Sequence, residues 1–169
     1  METGHEEDHL FDGDGYASTC MRERPGAHAK PEAHLGMDIR IYYEDTDAAG
    51  VVYHASYLKF FERARTEYFR ERGLGVAELA NAGFVFPVIR MEIDFKAPAL
   101  HDELVTVITR PERVGGSSFA VRQQAVRQSD GRLLVEAQVT LACISPQRKA
   151  RRIPSHIRRM LEENAGQEG

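Results

Sequence analysis

The chain has no tryptophan, and only two of its 169 residues are cysteine. Cys20 and Cys143 lie far apart in unlike surroundings. That argues against a disulfide framework or a zinc site and fits a reducing cytoplasm. No apolar run approaches the ~18 residues of a spanning helix, so the chain does not read as an integral membrane protein. Its N-terminus is acidic and polar, unlike a secretory signal. The part that can fold also lacks an excess of either charge. Net charge is −4 overall, but residues 1–36 hold eight acids and three bases, and residues 37–169 hold 18 acids and 19 bases. A broad nucleic-acid surface is therefore not expected.

What is present is a hydrophobic content of 42%, enough for one domain with a core. Residues 1–36 show no hydrophobic periodicity and read as a disordered extension. Residues 37–163 read as the domain, and 164–169 as a flexible tail. The β-branched and aromatic run Asp38–Tyr43 predicts a strand. A long helix follows over Tyr57–Arg72, with Tyr57, Phe60, Phe61, Ala64, Tyr68 and Phe69 on one broad face. Gly73 and Gly75 end it, and a short helix over Val76–Asn81 comes next. Four strands are then predicted, over Phe84–Ala97, Leu104–Arg113, Ser118–Gln128 and Leu133–Ser145. Pro87 marks an edge or a bulge in the first of them. Ser129-Asp130-Gly131 is a hairpin signal. A last helix is expected from Pro154 to about Glu163. One strand, one long helix and a run of strands imply α+β with an antiparallel sheet curled around the helix. Edge-strand association is open to such a sheet.

The chemistry is concentrated in Glu44-Asp45-Thr46-Asp47-Ala48-Ala49-Gly50-Val51-Val52-Tyr53-His54. Asp47 precedes a tight turn at a helix N-terminus, where a carboxylate is stabilised as the anion. It can attack an acyl carbon or take a proton from water; equally, aspartate is a common turn residue. Asp45 and Glu44 read as strand-end residues that point elsewhere. An Asp45-x-Asp47 pair could hold Mg²⁺, but no second acidic cluster completes such a site, so no metal or cofactor is expected. His54 is positioned to orient water or a substrate carbonyl. Its backbone N–H, at the helix start, is a candidate oxyanion donor, and Gly50 permits close backbone approach. Gly115-Gly116-Ser117-Ser118 is either an ordinary hairpin or a phosphate contact. The basic run Arg148-Lys149-Ala150-Arg151-Arg152 is either a solvated segment or a clamp for an anionic ligand.

The segment from Tyr42 to Leu58, followed by Phe61-Glu62-Arg63-Ala64-Arg65-Thr66-Glu67, closely resembles the Tol–Pal-associated acyl-CoA thioesterases. These belong to the 4-hydroxybenzoyl-CoA thioesterase-like hotdog superfamily. The match includes the D-x-x-G-x-V signature and extends more loosely over about residues 38–155. The resemblance implies a hotdog fold, a homodimer or homotetramer, and active sites at the dimer interface. It implies Asp47 as the catalytic aspartate and His54 beside the thioester. Gly50, Val51 and Tyr57 then contact substrate, and Ser117, Ser118 and Arg148 meet the CoA moiety. Tyr57, Phe61 and the strand from Phe84 either line an acyl pocket or pack the core. Two other readings stand beside hydrolysis. One is a hydratase or dehydratase acting on acyl carrier protein. The other is a non-catalytic module binding acyl-CoA or acyl carrier protein.

Overall fold

The computed structural model describes residues 36–165. The extension read over residues 1–36 and the tail read over 164–169 lie outside it, save for Gly36, Asn164 and Ala165. Among the described residues the elements run β1 (Gly36–Arg40), α1 (Ser56–Glu71), α2 (Val76–Asn81), β2 (Val88–Phe95), β3 (Leu104–Val114), β4 (Ser118–Arg127), β5 (Leu133–Ala142) and α3 (Ser155–Asn164). The strands form one antiparallel sheet in the order β1-β3-β4-β5-β2.

All six apolar positions read from the helical period are buried in α1. They join one core with Val105 and Val107 of β3, Phe119, Val121 and Ala125 of β4, and Val135, Ala137 and Val139 of β5. This is the hotdog arrangement, a sheet applied to one long helix. Phe60 is wholly buried and meets Tyr57 edge-on. Phe60→Ala should therefore destabilise the fold by about 3–5 kcal/mol through lost transfer and a residual cavity. Equilibrium denaturation measures it, and a loss under about 1 kcal/mol would place Phe60 outside the core. Gly73 ends α1 at φ +72°, with its own N–H on Arg70 O and that of Leu74 on Phe69 O. Ile157 and Leu161 of α3 are also buried in this core.

Three boundaries differ from the sequence reading. The first strand stops at Arg40, and Tyr43–Asp45 form a 3₁₀ turn. The Asp45 carboxylate accepts the Tyr42 N–H at 3.0 Å, a local bond that competes with strand pairing. Asp45 is thus a buried turn residue rather than a strand end, while Glu44 is exposed. Regular pairing of β2 starts only at Val88, after Pro87, which has no N–H to give. Val85 makes a lone bridge to Ile144, and the register shifts between Val88 and Arg90. β2 is an edge of the sheet, as Pro87 suggested. Finally, β5 ends at Ala142, with Ile144 continuing only as bridges to Val85 and Ala150.

Candidate active site

Asp47 sits in a turn built by its own neighbours. Its side-chain Oδ1 accepts the Ala49 N–H at 2.8 Å, and its carbonyl accepts the Gly50 N–H at 3.0 Å. The Asp47 N–H donates to Val51 O. Gly50 closes the turn at φ +75°, a conformation that glycine adopts without penalty, and open space surrounds its Cα. The turn is pinned to the body of the protein through Val51 and Val52. Val52 bridges Thr46 and donates to Ala99 O, while half-buried Val51 bridges Leu100. The Asp47 carboxylate is exposed, and no cation pairs with it among the described residues.

Asp45 couples that turn to α1. Its carbonyl accepts the Tyr53 N–H at 2.8 Å and the Ser56 hydroxyl at 3.2 Å. The Ser56 N–H is spent on Tyr53 O. The amides of His54 and Ala55, at the mouth of the helix, have no backbone acceptor among the described residues, as orphan N–H groups at a helix start often do not. The exposed His54 ring tilts against Tyr53 at 4.3 Å and meets Phe95 edge-on at 6.5 Å. Asp47, Gly50, Val51 and His54 therefore share one end of the molecule.

Tyr57 and Phe61 lie in the core, at 2% and 0% exposure. Tyr57 packs among Phe60, Phe61 and Phe95, and burial pushes its hydroxyl above the ordinary tyrosine range. Of the aromatics read as pocket or core, Phe84 lines a cavity.

Ser117 and Ser118 lie elsewhere. Ser118 pairs with Ala142, next to the Leu141–Val88 pair, whereas His54 faces Phe95, which pairs with Val135. The two groups thus occupy opposite ends of β2, separated by roughly 23 Å at the usual strand rise of ~3.3 Å. One chain does not bring them together. The glycine-serine loop is instead stitched to the C-terminal segment. Cys143 N–H donates to Ser117 O, Ile153 N–H to Gly116 O, and Arg158 Nη1 to Gly115 O at 3.2 Å. The arginine in contact with this loop is thus Arg158. Arg148 stands exposed at the tip of the Ser145–Lys149 turn, at φ +61°.

Sequence reasoning passed over a buried polar cluster under α1. Arg65 is 7% exposed, and its Nη1 donates to Gln123 Oε1 at 2.6 Å. Gln123, fully buried, donates to Phe61 O at 2.9 Å and Thr109 Oγ1 at 2.8 Å. Burial lowers the Arg65 guanidinium from its usual range, and the Glu62 charge opposes that shift. Arg65 follows Phe61 by four and Gln123 follows Val121 by two. Each therefore occupies an inward position in its own period, and that was the available signal.

A model of the Thioesterase-like superfamily matches residues 42–161. Over 120 residues the chain is 40% identical to the acyl-CoA thioester hydrolase YbgC of Escherichia coli O6:H1, covering 70% of this chain and 89% of that protein. A probable thioesterase from Bartonella henselae has a similar structure, with a TM-score of 0.66 and 41% identity. The likeness covers 70% of this chain and 97% of that one. The 1,4-dihydroxy-2-naphthoyl-CoA thioesterase Slr0204 from Synechocystis has a TM-score of 0.65 at 27% identity, over 70% of this chain and 88% of its own.

Proposed function

Because this chain belongs to the thioesterase-like superfamily, we propose that it hydrolyses an acyl-CoA thioester to a carboxylic acid and free CoA. The observation that carries the reading is Asp47: an exposed carboxylate held by a tight turn beside spare amides at the start of α1. The amides of His54 and Ala55 hydrogen-bond the thioester oxygen and stabilise negative charge as it develops. Two routes are open to Asp47. In one it attacks the carbonyl carbon, expels CoA thiolate and forms a mixed anhydride that water then cleaves. In the other it takes a proton from the water that attacks. Each consumes one water and releases carboxylic acid and CoA. His54 orients that water or the acyl group. Thiolate leaves readily, so no strong general acid is needed.

A second copy completes the site in this reading. β2 is an edge strand, with Ile89 61% and Phe95 53% exposed. Antiparallel pairing of two β2 edges lays the Phe95 end of one beside the Val88 end of the other. Asp47 and His54 of one subunit then face the partner loop that carries Ser117 and Ser118, with Arg158 of α3 hydrogen-bonded to that loop. A homodimer is the minimum, and a homotetramer adds a second contact. Acyl carrier protein is a further candidate donor, since it presents its acyl group as the same kind of thioester. Cytoplasmic location rests on cysteine usage, and on Cys143 as a free buried thiol. Association with Tol–Pal rests on the resemblance in the turn and helix. No helix among the described residues is long and apolar enough to cross a membrane.

A thiol-release assay over a panel of acyl-CoAs tests the reading. Release of CoA is expected. Saturable binding without release would make the protein an acyl-CoA-binding module.

A further inference from the structure

Arg65 has an unusual position for an arginine. It is nine-tenths buried on the central helix, and no carboxylate lies within ion-pair distance of it among the described residues. A buried cation without a paired anion is costly, and one hydrogen bond to Gln123 does not use its five N–H donors. Arg65 also lines a cavity of about 170 Å³. The rest of that cavity is mainly apolar, with Phe69, Val76, Phe84, Phe86 and Leu141 in its wall. Glu62 and Thr66 also line it. Glu62 is exposed, and its Oε1 accepts the Thr66 hydroxyl at 2.9 Å.

This cavity lies at the Val88 end of β2, because Leu141 in its wall pairs with Val88. In the paired dimer proposed above, that end adjoins the partner copy's Asp47 turn. A chain entering from the thioester carbonyl then runs along apolar walls toward Arg65. At ~30 Å³ for a water-sized group, the space holds roughly five or six heavy atoms.

We propose that this cavity is the acyl pocket and that Arg65 selects acyl groups bearing a neutral oxygen acceptor, such as a ketone, at their far end. The inference rests on the thioesterase reading and on β2 pairing. The acceptor is neutral because the Glu62 carboxylate disfavours a second negative charge in the same cavity. An alkyl end of the same shape leaves the spare N–H groups of Arg65 without partners, and sites built around such donors discriminate strongly.

The test compares 5-oxohexanoyl-CoA with 5-methylhexanoyl-CoA, which is close to it in shape, by thiol release. The wild-type kcat/KM should favour the oxo substrate by about tenfold or more. Arg65→Gln removes the charge, and its shorter amide keeps a donor that can reach toward Gln123. It should bring the ratio down toward one. The wild-type comparison stands even if that variant fails to fold. Release from both substrates without preference overturns the role of Arg65 and leaves the thioesterase reading intact. A preference that survives Arg65→Gln overturns it as well. Release from neither substrate, nor from any of the wider panel, overturns the thioesterase reading instead.

Discussion

Asp47→Asn should lower kcat for acyl-CoA hydrolysis by about two to four orders of magnitude, the usual scale for a lost base or nucleophile. The substitution suits this turn. Asparagine keeps the Oδ1 acceptor that receives the Ala49 N–H, so the geometry of residues 47–51 should persist. What is lost is the negative charge. A neutral amide neither takes a proton from water nor attacks a thioester. The amides of His54 and Ala55 remain, and the residual rate should reflect their stabilisation of the carbonyl oxygen. Single-turnover thiol release, with circular dichroism to verify the fold, measures the effect. Turnover equal to the parent's removes Asp47 from the reaction under either route.

Ile89→Lys should abolish activity while leaving each subunit folded. Ile89 is 61% exposed on β2, so within one chain the change costs little. Across a two-fold axis the same change puts two lysines into one seam, and edge lysines are a known block to strand pairing. A charged side chain buried in that seam costs several kcal/mol, so the dimer should fall apart and activity drop by about a hundredfold or more. Asp47 and His54 are untouched by this substitution. Sedimentation velocity and thiol release on the same sample decide the matter. A monomer with parental activity would mean that one chain holds a whole site.

Much of this fold was legible from periodicity. The helical spacing found all six apolar core positions of α1, all of them buried. That pattern follows from repeat geometry, which a sequence states directly. Asp45 was misread because alternation assumes an extended chain, and its own carboxylate bonds the Tyr42 N–H instead. Arg65 and Gln123 were missed because residue type outweighed position. Charged and amide side chains are usually exposed, and these two interrupt apolar faces where hydrogen bonds to each other, and from Gln123 to Phe61 O and Thr109 Oγ1, make burial tolerable. The separation of His54 from Ser118 was not legible at all. It depends on strand order and register, and no local pattern encodes which end of β2 lies beside which loop.

That strand order has a further consequence. β3, β4 and β5 follow one another as hairpins, so their contacts close short loops. β1 must wait for Leu104, and β2 for Leu133, before either finds its neighbour. Loop-closure entropy therefore weighs most heavily on the two edges. The Asp47 turn follows β1 in the chain, and the cavity by Phe84 leads into β2. The parts of the chain assigned to chemistry thus flank the strands that close the longest loops. A ligand or second subunit gripping both would add contacts where the sheet closes its longest loops.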